Sequence, residues 1–183
     1  SLSGYGEDPD APGSYRRLIW RDNADGSWER FIYDASGSVA VATTPWLDGA
    51  APARVGGNPF AFPSSRVVSN AYASLDPSRD DLSLSPMTPR TVSEYIVPAS
   101  GPPFLMSRVW RLFAPTNWLG EAAVAEISER AASATSAFGD PGNPRTVTVS
   151  YPARTGDWRS GRTLSVLHPD GRLTTTWHQP GEA

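Results

Sequence analysis

Proline and glycine punctuate this chain so densely that long helices have little room: 18 Pro and 16 Gly fall among its 183 residues. Each proline fixes φ and removes a backbone donor, and each glycine offers a place for the chain to turn. The sequence is broken into short pieces that favour strands and turns and exclude a coiled coil. Its length suits one domain, or one domain with an appendage. With 7 Trp, 6 Tyr and 6 Phe, it is far from the aromatic-poor composition of a disordered chain. No stretch approaches the ~18 apolar residues of a membrane span and no charged-then-apolar leader opens the chain, so a soluble protein is expected.

Cysteine is absent, which excludes disulfides, thiolate metal sites and thiol catalysis. The two histidines, His168 and His178, have no second ligand at a recognisable spacing. No metal and no cofactor is expected. All 16 basic residues are Arg. Codon choice in a GC-rich genome accounts for that, and the guanidinium fork also suits phosphate better than an ammonium does. The net charge of −3 is carried by Glu7, Asp8 and Asp10 in the first 13 residues. Elsewhere the charges balance, so nucleic-acid binding would need a local arginine-bearing face.

Residues 1–13 read as a Gly, Pro and acidic arm that packing against a neighbour would order. Strands follow at about 14–21 and 27–34 around Asp25-Gly26, a strong hairpin signal. SVAVAT (38–43) makes a third strand, and 45–63 reads as a long loop. Further strands are expected at 65–75, 89–98 and 104–113. The period then changes. Leu119, Ala123, Ile127, Ala131, Ala134 and Phe138 recur at spacings of three and four, the stripe of an amphipathic helix from Thr116 or Asn117 to Gly139. Strands resume at 145–151, 162–168 and 172–177 as an appended hairpin, 144–183, beyond a sheet and helix domain at 14–143.

Enzyme signatures such as GxSxG, Walker A and HExxH are missing, and no catalytic residue is assigned. Asp80-Asp81 beside Arg79 could form an acid/base or metal pair, against the simpler reading of a solvated loop. Alternation along the strands separates two faces. One consistent assignment places Val67, Ala71, Val92, Ile96, Met106, Trp110 and Leu112 beneath the helix. The reverse face then collects Arg66, Asn70, Tyr72, Thr91, Ser93, Tyr95 and Arg111, cations for phosphate with tyrosines for unstacked bases. An ordinary solvated sheet face has the same composition.

The run of elements, WRDNADGSWERFIY, then SSRVVSNAYASLD, then TVSEYIVPASGPPFLMSRVWRLF leading into TNWLGEAAVAEISERA, resembles the coat proteins of single-stranded RNA bacteriophages, the leviviruses. The resemblance spans about 14–138. It implies an α+β fold, an antiparallel sheet followed by a helix, in an intertwined dimer whose helices pack over the partner's sheet. It further implies a capsid protein of the virion, made in the bacterial cytoplasm, whose homodimers close into an icosahedral shell. The inward sheet would bind the RNA genome and, as in several members, an RNA hairpin as translational repressor. Arg66, Asn70, Tyr72, Thr91, Ser93, Tyr95 and Arg111 would form that RNA-binding face, with no membrane partner. The rival reading is a secreted β-rich binding module for carbohydrate or protein, with Trp46, Trp158 and Trp177 as stacking platforms.

Overall fold

Aspartate and glycine set the first two hairpins. Asp25 Oδ1 accepts hydrogen bonds from the Ser27 backbone N–H at 3.0 Å and its hydroxyl at 2.7 Å, while Gly26 takes φ +86°. Asp34 repeats the device, accepting from the N–H groups of Ser36 and Ser38, with Gly37 at φ +81°. Such side-chain caps substitute for the ladder where the chain reverses. The computed structural model describes residues 1–7, 13–47, 49–54 and 57–179.

The described residues form eleven strands: β1 (Leu2–Tyr5), β2 (Leu18–Asp22), β3 (Trp28–Tyr33), β4 (Val39–Pro45), β5 (Ser65–Ala71), β6 (Thr91–Val97), β7 (Phe104–Trp118), β8 (Glu121–Arg130), β9 (Arg145–Ser150), β10 (Thr163–Leu167) and β11 (Leu173–Thr175). They form one antiparallel sheet whose spatial order is the chain order. Two compact units divide it. The first comprises 1–71 and 91–108, the second 72–90 and 109–183.

In the first unit the face of the sheet bearing Trp28 and Val67 is covered by the long connection 46–64. That connection contains a 3₁₀ turn, Pro59–Ala61, started by Asn58, whose side chain accepts from the Phe60 N–H. Trp28, Val67, Ile96 and Val97 are the buried apolar side chains described there. In the second unit the corresponding set is Trp110, Leu112, Phe113, Ala123 and Leu164. Both cores are thin.

The expected α+β fold gives way to an all-β one. Among the described residues the 3₁₀ turn is the one helical stretch. Residues 117–130, expected as the helix N-terminal half, instead finish β7, turn at Leu119-Gly120 and return as β8, pairing from Trp118↔Glu121 to Val109↔Arg130. The turn has φ +50° and +86°, a left-handed pair of the kind that two-residue hairpins require. The sequence permits both readings. Leu119, Ala123, Ile127 and Ala131 are each four apart, which keeps them on one face of a helix and on one face of a strand alike. The pairing of Ile127 with Leu112 decides between them. With no helix in this segment, the clasp over a partner's sheet has no element to make it.

The expected core splits in the same way. Val67, Ile96, Trp110 and Leu112 are buried, Val92 is half-buried, Ala71 is exposed and Met106 is 53% exposed. The arm expected at 1–13 contributes β1, which pairs with β2 of its own chain; residues 8–12 lie outside the described set. The boundary drawn at 143/144 falls between paired strands, since β9 pairs with β8 from Val124↔Ser150 to Glu129↔Arg145. No described helix is long and apolar enough to cross a membrane.

Candidate functional site

Residues directly opposite in an antiparallel ladder project to the same side of the sheet. β5 and β6 pair Arg66 with Ile96 and Asn70 with Val92, but Val67 with Tyr95, Ser69 with Ser93 and Ala71 with Thr91. Arg66 and Asn70 therefore share one face with Val92, Glu94 and Ile96, while Thr91, Ser93 and Tyr95 occupy the other. The single polar face expected from alternation is offset by one residue between neighbouring strands, which sends each strand's contribution to the opposite side. Arg111 and Tyr72 belong to the second unit.

The partners of these residues are internal. Arg66 Nε donates to Glu94 Oε1 at 2.6 Å, and the guanidinium holds that carboxyl below its ordinary range. Arg111 faces Glu126 at 3.6 Å. Asn70 Nδ2 donates to the Val39 carbonyl at 2.9 Å, Ser93 Oγ accepts from Arg108 Nε at 3.1 Å, and Tyr95 meets the edge of Phe60 at 5.1 Å. Two arginines expected to meet phosphate thus stand against carboxylates.

In the second unit two carboxylates are fully buried, and each anchors a connection. Asp80 Oδ2 accepts from Arg90 Nε at 2.8 Å and Oδ1 from the Phe113 N–H at 2.9 Å. Arg90 Nη1 donates to the carbonyls of Ser85 and Thr88, and the guanidinium lies over the Phe113 ring. Asp81 points outward to cap Ser83. The Asp80-Asp81 pair is therefore split between a buried ion pair and an exposed turn. Glu129 Oε1 accepts from the Gly139 N–H at 2.6 Å and Asn143 Nδ2 at 2.7 Å, and Oε2 from Arg145 Nη2 at 2.6 Å. Burial alone would raise its pKa, but these donors outweigh it and hold the carboxyl below its ordinary range. No group of three or more metal-ligating side chains occurs among the described residues. His168 meets the Thr174 hydroxyl and His178 the Thr163 carbonyl.

A connected polar network beside a cavity lies in the first unit, beneath the 46–64 connection. Ladder pairing puts Trp20 opposite Arg30 and Asp22 opposite Trp28, so all four side chains rise on one face. The Trp28 indole N–H donates to the Gly49 carbonyl at 2.8 Å. Arg30 donates to the carbonyls of Pro52 (3.0 Å) and Ala53 (3.4 Å) and to Asp22 Oδ1 (2.8 Å). Asp22 Oδ2 also accepts from Arg54 Nε at 3.0 Å, and the Arg54 guanidinium stacks on Trp20, 4.6 Å from the ring centroid. Gly4 is obligatory below that stack, because a Cβ there would stand 2.0 Å from the Trp20 indole nitrogen. Desolvation opposes the charge on Asp22, but its two guanidinium partners prevail and keep the carboxyl ionised to lower pH than usual. Beside this network opens a cleft of about 240 Å³, with Arg30, Ile32 and Thr43 on the sheet and Arg54, Pro59 and Phe62 on the connection.

Sequence reasoning did not single out Asp22, Arg30 or Arg54. The signal was present in WRD and WER flanking the Asp25-Gly26 turn: a hairpin closed there pairs Trp with Arg and Asp with Trp on one face. Arg54 lies in a connection whose course no periodicity reports. Compared with known proteins, the chain matches no family model, no curated protein and no solved structure.

Proposed function

We propose that this chain is a non-catalytic structural protein that works by associating with further copies of itself through its sheet. The observation that carries this reading is the apolar surface left on the strands. Phe104 and Met106 on β7, Leu167 on β10 and Leu173 on β11 are between 42% and 58% exposed. Each unit buries few apolar side chains of its own, and single-layer sheets ordinarily bury such residues against another layer.

The specific form we propose is a coat protein that encloses single-stranded RNA in a virion, the reading its sequence order suggests. In this form the RNA contacts shift. Arg66 and Arg111 are committed to Glu94 and Glu126, whereas Arg16 and Arg17 form no ion pair among the described residues and stand over the rings of Tyr15 and Tyr33. Guanidinium and tyrosine together suit phosphate and unstacked bases. Electron microscopy and light scattering of the protein made alone in bacteria test both levels. Uniform particles containing nuclease-protected RNA support the coat; uniform particles without RNA leave assembly and remove the RNA reading; a stable monomer at micromolar concentration overturns assembly.

The binding-module reading keeps two of its tryptophans at the surface: Trp158, with Arg162 over its ring, is 42% exposed and Trp177 73%, while Trp46 is half-buried.

A further inference from the structure

Among the described residues, the network beside the cleft under the 46–64 connection carries one guanidinium more than it has carboxylates. Asp22 is the carboxylate of this network among the described residues, and it answers two guanidiniums, Arg30 at 2.8 Å and Arg54 at 3.0 Å. Arg30 is nearly buried and spends its donors on Asp22 and on the carbonyls of Arg21, Glu29, Pro52 and Ala53. Arg54 differs. It commits Nε to Asp22 and its flat face to Trp20, and neither Nη nitrogen has a hydrogen-bond partner among the described residues. Its side chain remains 52% exposed at the cleft. Stacking on Trp20 fixes the plane of the fork, so its two outer donors keep a defined direction. Next to it, Ile32, Pro59 and Phe62 give the cleft apolar walls. A volume of about 240 Å³ is just under that of drug-sized sites and fits a fragment with one ring or a short chain.

We propose that this cleft binds a small organic monoanion, with its carboxylate on the Nη donors of Arg54 and its apolar body against Ile32, Pro59 and Phe62. The site is independent of self-association: it uses residues of one unit of one chain. A cationic ligand would meet the excess positive charge, and an inorganic anion would leave the apolar walls wet. The matched pair of probes is therefore benzoate and benzyl alcohol, similar in size and differing in charge.

Ligand-observed NMR on the full chain measures the affinity of each. Benzoate is expected to bind saturably and about tenfold or more tighter than benzyl alcohol, the margin of one charge-assisted contact. Arg54→Gln should bring benzoate to the level of benzyl alcohol while changing the alcohol by less than about twofold. Ile32→Trp, which fills the cleft from the sheet, should weaken both. Raising ionic strength on the unmodified chain should shrink the preference for benzoate, which keeps the charge argument testable if Arg54→Gln folds poorly. Equal affinity for the two probes, an unchanged ratio in Arg54→Gln, or undiminished binding in Ile32→Trp would each overturn the proposal.

Discussion

The guanidinium of Arg90 donates to Asp80, Ser85 and Thr88 at once, while its flat face rests 4.6 Å from the Phe113 ring centroid. An ammonium can neither fork nor stack in this way, and the same combination of ion pair and ring recurs at Arg30, Arg54 and Arg159. A chain without lysine thus places arginine where its shape is used. Arg90→Met leaves Asp80 buried without its partner and is expected to lower stability by about 3–5 kcal/mol in urea denaturation; a loss below about 1 kcal/mol would show the pair to be replaceable. Glu129 supplies a pH dependence. Its folded pKa is depressed, so its contribution is fully present above the ordinary glutamate pKa and is lost as pH falls through the folded value. Denaturation midpoints should therefore drop below about pH 4.5. Glu129→Gln should flatten that acid slope while starting from a lower stability at neutral pH.

At the scale of elements, what alternation and turn residues encode was legible, and what packing decides was not. The strands around Asp25-Gly26 and those near 65–71, 91–97, 145–150 and 163–167 follow from period-two patterns ended by Gly, Pro or Asp. The 117–138 segment misled because alanine accepts either structure and a spacing of four satisfies both periods. Faces were harder still: nothing local to β5 or β6 states whether Arg66 meets Tyr95 or Ile96, and the candidate RNA surface depended on that one-residue difference. Leu119 offers a test of the hairpin. It sits at φ +50° and is 73% exposed, so it bears left-handed strain with little burial in return. Leu119→Asn is expected to stabilise by about 0.5–1 kcal/mol, read as a raised thermal midpoint. Were 117–138 helical, the same change would destabilise.

At the scale of the whole molecule, residues 144–183 are continuous with the sheet. β9 pairs with β8, and Arg145 supplies one of the donors to the buried Glu129 carboxylate. Truncation after Asn143 should then bare the β8 edge and leave Glu129 short of charge. Loss of at least about 2–3 kcal/mol and aggregation by light scattering are expected. A truncated chain as stable and as soluble as the intact one would mark the last 40 residues as a true appendage.

Strands that lie side by side in the order of the chain also have a history in time. Each hairpin partner leaves the ribosome immediately after the strand it joins, so every ladder can close while the next strand is still being made. Loop closure never has to reach across an intervening strand. The 46–64 connection obeys the same order: Gly49, Pro52 and Ala53 settle on Trp28 and Arg30, which were synthesised and paired before them. The growing sheet therefore exposes one fresh edge at a time, and that edge is covered by the very next segment to emerge.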